Sequence, residues 1–72
     1  MKFTSGQAAD LLRETEPKLN RLIRNRRLTE QPPIVSGRRQ WTVTHILEAA
    51  RLLGASEPDV LARISGEVTH AG

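Results

Sequence analysis

The sequence predicts a mainly α-helical domain that carries one small two-stranded hairpin. Four serine or threonine residues each precede apolar residues at helical spacing, and these signals predict four helix starts. A proline pair, then a β-branched pair and a Ser-Gly turn, predict the hairpin. With 72 residues and no cysteine, the chain forms one small domain without disulfides, so its core must be aliphatic and aromatic.

The first two helices are expected close together, about three residues apart. Thr4 and Gln7 have the T-x-x-Q spacing of a capping box, which predicts a helix over residues 5–13. Thr15 is the expected N-cap of the second helix. Pro17 falls in its first turn, where the missing N–H costs nothing.

The second helix is amphipathic. Leu19, Leu22 and Ile23 share one side, which predicts that this side is buried. At ~100° per residue the other side is polar and basic. That exposed face is expected to consist of Pro17, Asn20, Arg21 and Arg24, with Lys18 and Asn25 at its edges. Two short, closely joined helices with a basic face on the second are typical of a helix-turn-helix.

A hairpin is expected next, after the prolines at 32–33 stop the helix. Because an isolated two-stranded hairpin is unstable, we expect Ile34 or Val35 to pack against Trp41. Phe3 and Trp41 are expected in the core. The tip of the hairpin is expected to carry Gly37, Arg38 and Arg39.

Two further helices complete the prediction. Thr42 is expected to cap the third helix and Gly54 to end it, and Ser56 to open a short fourth one. The predicted organisation is a domain over 1–54, a short C-terminal helix over 55–65 and a flexible tail over 66–72. The order helix, helix, hairpin, helix, short helix predicts a winged helix-turn-helix.

Positive charge is concentrated in the middle of the chain. Seven of the eleven lysines and arginines lie between residues 18 and 39, where Glu30 is the only acid. That segment carries +6 and the remainder −3. A local cationic field attracts nucleic acid or another anionic surface. The alternative is a basic face that only keeps the chain in solution.

The groove-reading residues are expected on the second helix. Asn20, Arg21 and Arg24 are of the types that pair with adenine and guanine edges in the major groove. Other contacts, to phosphates or to a minor groove, are expected from nearby hydroxyl, amide and basic groups. These are Thr4, Ser5, Gln7, Thr15, Lys18, Asn25, Arg27, Arg38 and Arg39.

Each of these assignments has a structural alternative. Thr4 and Gln7 can serve only as a helix cap, and Arg38 can be a solvated turn residue. Arg39 can instead be held by a helix carboxylate such as Glu48. We expect His45 to have no functional partner.

The run "FTSGQAADLLRETEPKLNRLIRNRRL", followed by "SGRRQWTVTHILEAARLLG", resembles the MerR-type winged helix-turn-helix superfamily over about three quarters of the chain. The matching positions are Thr4, Ala8-Ala9, Thr15, Gly37-Arg38-Arg39 and Trp41-Thr42. The resemblance implies sequence-specific binding of double-stranded DNA. Two departures stand out: Arg13-Glu14 replaces the small turn residue, and Asn25 is expected to supply the positive φ that a glycine usually supplies.

The resemblance does not extend to a long dimerising helix or an effector domain, which favours the short relatives. These include small transcriptional regulators or architectural factors, excisionases, phage terminase small subunits and the operator-binding domains of plasmid partition ATPases. In the last case the chain is expected to be an N-terminal fragment. A homodimer or tandem copies on DNA, at the nucleoid in the cytoplasm, are the expected state.

The sequence predicts no enzyme. It has no Ser-His-acid set at meaningful spacing and no glycine-rich phosphate loop, and we expect no cofactor or metal. No apolar run approaches ~18 residues, so no membrane partner is expected. The alternative to DNA binding is a protein-interaction module, with its basic face toward an acidic partner and the C-terminal helix as a second contact.

Overall fold

The computed structural model describes residues 2–71, and side chains for residues 2–66. It contains four helices and one two-stranded antiparallel hairpin, which confirms the mainly α-helical prediction. The elements are α1 (Ser5–Leu12), α2 (Glu16–Arg24), β1 (Ile34–Val35), β2 (Arg38–Arg39), α3 (Val43–Leu53) and α4 (Glu57–Ala71). Within the described part of the chain, no helix is long and apolar enough to cross a membrane.

Helix α1 begins with the predicted capping box. The hydroxyl of Thr4 accepts from the Gln7 N–H at 3.1 Å, and the Thr4 N–H donates to Oε1 of Gln7 at 2.9 Å. The helix ends in a Schellman motif, in which the N–H groups of Arg13 and Glu14 donate to the carbonyls of Asp10 and Ala9. This motif places Arg13 in the left-handed region, at φ 55°.

Arg13 occupies a backbone conformation that glycine adopts without steric cost. We expect Arg13→Gly to raise the free energy of unfolding by about 0.5–1 kcal/mol, because it removes this strain. Arg13→Ala is the matched control, since it deletes the same charge but keeps the strained Cβ. Chemical denaturation of both variants measures the difference, and equal stability of the two would contradict the expectation.

Helix α2 ends differently from the prediction. Its C-cap Asn25 has φ −86°, and the positive φ expected there lies at Arg26, at 53°. The reason is a second Schellman motif, in which the backbone N–H groups of Arg26 and Arg27 donate to the carbonyls of Ile23 and Leu22. At the other end, Thr15 is the N-cap but makes no side-chain cap hydrogen bond.

The hairpin is held differently from the prediction. Ile34 and Val35 are 63% and 43% exposed, so the expected packing against Trp41 is wrong. Arg39 instead donates to the Pro32 carbonyl at 2.8 Å, and the Gln40 N–H donates to the Pro33 carbonyl at 2.8 Å. These two hydrogen bonds join the two residues before β1 to the end of β2 and the residue after it, and so close the base of the hairpin, while its aliphatic side chains lie in solvent.

The turn of the hairpin consists of two residues, Ser36 and Gly37, with φ 52° and 79°. Two consecutive positive φ angles are typical of a type I′ turn, which matches the twist of the strands. The register pairs Val35 with Arg38 and Ile34 with Arg39. Both arginines thus lie on β2, beside the tip rather than at it.

Trp41 lies at the centre of the core and is fully buried, as predicted. Its indole N–H donates to the Ser5 hydroxyl at 3.1 Å, and its backbone pairs with Phe3 through two hydrogen bonds of 2.8 Å. The other core side chains come from the N-terminal segment, all four helices and the loop after α2. They include Phe3, Ala8, Ala9, Leu11, Leu12, Leu19, Ile23, Leu28, Ile46, Ala49, Ala50, Val60 and Ile64.

Helix α3 has the predicted limits, but its cap uses an unexpected partner. Thr42 is the N-cap and Gly54, at φ 75°, ends the helix. The Thr42 N–H donates to Nδ1 of His45 at 3.0 Å, so the imidazole takes the place of the usual Glu or Gln in a capping box. His45 is buried and lies edge-on to Trp41, so it has a structural partner that the sequence analysis missed.

Helix α4 is longer than predicted. It starts after Ser56 and extends to Ala71, so residues 66–71, expected as a tail, continue the helix. Val60 and Ile64 are buried, and the helix packs on α1 and α3. Arg63 donates to the Leu11 carbonyl at 2.7 Å. The Val60/Ile64 side therefore docks on the domain itself, while Leu61 is 44% exposed.

Glu48 fixes the loop after α2 to α3. Its Oε1 accepts from the Thr29 N–H at 3.0 Å, so Glu48 does not hold Arg39 as one alternative proposed. Hydrogen bonds from the side chain and backbone of Thr29 hold the pKa of Glu48 below its ordinary value of 4.5. The carboxylate form is thus favoured in the folded state.

This interaction predicts a pH dependence of stability. Because the pKa of Glu48 is lower in the folded state, its contribution is complete above pH 4.5 and is lost as the pH falls through the lowered pKa. We expect the thermal midpoints of wild type and Glu48→Gln to converge over that acidic range. A difference between them that stays constant from neutral pH to strong acid would contradict this.

Candidate nucleic-acid interface

The exposed face of α2 is the main feature of the candidate site. Leu19 and Ile23 are buried beneath it, and they fix the rotation of the helix on the core. Asn20, Arg21 and Arg24 are exposed on the opposite side, as the sequence predicts. A rigid helix therefore presents one amide and two guanidinium groups to solvent.

Three arginines of the candidate surface, two on α2 and one on β2, have side chains without internal partners. The side chains of Arg21, Arg24 and Arg38 are exposed and make no hydrogen bond or ion pair with any residue that the structure describes. Lys18 differs, because its Nζ lies 3.3 Å from Oε1 of Glu14. An exposed pair of this kind contributes little to stability, so Lys18 remains available to an anion.

Arginines outside this region are used by the fold. Arg63 holds the end of α1, and Arg51 pairs with Glu57 at 3.1 Å. Arg39 belongs to the candidate surface but also serves the fold, because it is half-buried and its guanidinium donates to the Pro32 carbonyl. It therefore closes the base of the hairpin, while Arg38 beside it is exposed to solvent.

The start of α1, the start of α2 and the hairpin enclose an open cleft of about 370 Å³, which we call the α1–hairpin cleft. It is lined by Thr4, Ser5, Gly6, Glu16, Arg38 and Arg39. The structure thus brings together residues predicted as separate phosphate contacts. The hydroxyls of Thr4 and Ser5 already accept hydrogen bonds, from the Gln7 N–H and the Trp41 indole, so both also serve the fold.

The remaining predicted residues lie elsewhere on this surface. Asn25 and Arg27 are exposed beyond the end of α2, away from the cleft lining, and Thr15 is exposed between α1 and α2. Gln7 lies with Lys2 and Val35 along a second groove of about 300 Å³ beside the hairpin. Sequence reasoning missed Lys2, whose position follows from the pairing of Phe3 with Trp41.

Sequence reasoning also missed Glu16, the acid within the α1–hairpin cleft. The available signal was its place in the first turn of α2, immediately before the basic segment. In the part of the chain with described side chains, no three histidine or acidic residues cluster as metal ligands. Comparison of the chain with protein-family models, curated proteins and solved structures gave no match.

Proposed function

We propose that this chain is a MerR-like winged helix-turn-helix domain that binds double-stranded DNA. In this proposal α2 enters the major groove. The hairpin acts as the wing and contacts the sugar–phosphate backbone of the DNA or the adjacent minor groove. The observation that carries the proposal is the exposed face of α2, where Asn20, Arg21 and Arg24 have no partner among the described residues.

The chemistry of this face suits base edges. A guanidinium donates two parallel hydrogen bonds to guanine O6 and N7, and an amide both donates to and accepts from adenine. Because Leu19 and Ile23 lock the helix onto the core, the ordering cost on binding is confined to the exposed side chains. These groups supply the sequence preference.

In this proposal, contacts with the DNA phosphates supply most of the affinity. Lys18, Arg27 and Arg38 are exposed around α2 and the wing, where they meet phosphates. If ~5–7 phosphates are neutralised, the logarithm of the affinity falls with the logarithm of salt concentration at a slope of roughly −4.5 to −6.

The size of the domain favours more than one copy on DNA. A single module of this kind buries only ~600–1,000 Å², so tight binding needs a homodimer or tandem copies. Those arrangements fit a transcriptional regulator or architectural factor at the nucleoid. An excisionase or the operator-binding domain of a partition protein are alternatives within the same class.

Selection of bound duplexes from a random library tests the proposal. The purified chain is incubated at about physiological salt, and the retained duplexes are sequenced. We expect an enriched motif. Direct repeats would favour an architectural or excision factor, and inverted repeats a dimeric regulator or partition operator.

The contrary result is a lack of enrichment with only salt-sensitive background binding. It would mean that the arginines supply charge alone, and it would overturn sequence-specific recognition. The basic face would then fit the alternative of an acidic protein partner, for which Arg-to-Lys changes on α2 are tolerated.

A further inference from the structure

Glu16 places a negative charge in the most basic part of the surface. It is the acidic member of the residues that line the α1–hairpin cleft, which also include Arg38 and Arg39. Its Oε1 would lie 3.2 Å from a Cβ atom built on Gly6, so the carboxylate rests over the first turn of α1. Glycine at this position leaves room for it.

No cationic side chain pairs with the carboxylate of Glu16 within the described structure. The two ion pairs there use Glu14 and Glu57, and the carboxylate of Glu16 neither forms an ion pair nor accepts a hydrogen bond. Arg39, which shares the cleft, is directed to the Pro32 carbonyl. Glu16 is exposed, so its negative charge acts on whatever occupies the cleft.

The proposed binding mode determines what occupies the cleft, and the inference rests on it. With α2 in the major groove and the hairpin on the next minor groove, the sugar–phosphate strand between the grooves must pass between these two elements. The α1–hairpin cleft lies at that place, because α1, α2 and the hairpin all contribute to its lining. A phosphate there meets Arg38 and also the carboxylate of Glu16.

We propose that Glu16 limits the affinity of the domain for DNA of any sequence. Like charges brought together at an interface oppose binding, and a repulsive element of this kind weakens unwanted complexes. The repulsion acts between the Glu16 carboxylate and the phosphates of the DNA strand, so it does not depend on the base sequence. A single copy then binds bulk DNA weakly, and stable binding depends on base contacts from α2 or on a neighbouring copy.

The test is Glu16→Gln, which removes the charge and keeps the shape. Dissociation constants are measured by fluorescence anisotropy on the selected duplex and on a scrambled duplex of equal composition, at several salt concentrations. We expect both duplexes to bind about 1.4- to fivefold more tightly, the range of one screened pair of exposed charges. The gain shrinks as salt rises.

Two further variants serve as controls. Asp59→Asn removes one negative charge from the first turn of α4, outside the cleft, and is expected to leave both affinities unchanged. Glu16→Asp keeps the charge and is expected to retain the weak binding of wild type. Circular dichroism of each variant verifies that it is folded.

Several results would overturn the inference. Unchanged affinity in Glu16→Gln would exclude repulsion, and an equal gain in Asp59→Asn would assign the effect to net charge. A loss of affinity confined to the selected duplex would mean that Glu16 accepts a hydrogen bond from a base amino group. If wild type binds neither duplex, the proposed function fails, and the inference fails with it.

Discussion

Replacing Trp41 with alanine is expected to lower the free energy of unfolding by about 3–5 kcal/mol, the usual cost of removing a large core side chain. A 72-residue domain has a total of only about 4–11 kcal/mol at typical values per residue. Trp41 is fully buried where α1, α3 and the N-terminal segment meet. We therefore expect a chain at the edge of unfolding.

Urea denaturation followed by far-ultraviolet circular dichroism measures this loss. Trp41→Phe is the control, because it keeps an aromatic ring in the core but removes the indole N–H that donates to Ser5. We expect it to cost about 1–2 kcal/mol, for one unmade hydrogen bond and a smaller ring. A Trp41→Ala variant as stable as Trp41→Phe would show that the core does not depend on this side chain.

Replacing Arg24 with alanine is expected to weaken binding to the selected duplex by about 1–3 kcal/mol and to relax the base preference at one position. Arg24 is exposed, has no internal partner and lies in the last turn of α2, so its removal leaves the fold intact. Repeating the duplex selection with the variant, and comparing thermal midpoints, separates recognition from folding.

Arg38→Ala provides the contrast on the hairpin. If Arg38 contacts a phosphate, its removal weakens binding to all sequences alike and makes the salt dependence shallower by about one unit of slope. Arg24→Lys should resemble Arg24→Ala in base preference, because an ammonium lacks the forked geometry of a guanidinium. No change in affinity for Arg24→Ala and Arg38→Ala alike would rule out both roles.

Helix starts were the most predictable part of the fold, because their signals are local. Thr4 with Gln7, and Thr42 alone, gave the beginnings of α1 and α3 correctly. Helix ends were less predictable. Glycine marks the end of α3, but α1 and α2 end with arginines in the left-handed conformation, where the backbone hydrogen bonds of the Schellman motif outweigh residue preference.

Features that depend on contacts between distant segments of the chain were the hardest to predict from the sequence. His45 is buried beside Trp41, and Val60 and Ile64 bury one side of α4, which packs against α1 and α3. For the candidate site, the helical period gave the exposed face of α2 correctly. It did not place Glu16, because the α1–hairpin cleft forms only when residues from three elements come together.

The burial of Trp41 also has a spectroscopic consequence. The chain has one tryptophan and no tyrosine, so nearly all of its ultraviolet fluorescence arises from a single indole inside the core. Its emission should shift to longer wavelength when the domain unfolds and exposes the ring to water. None of the groups expected to contact a duplex on α2 is aromatic, so wild-type emission reports folding separately from binding in one sample.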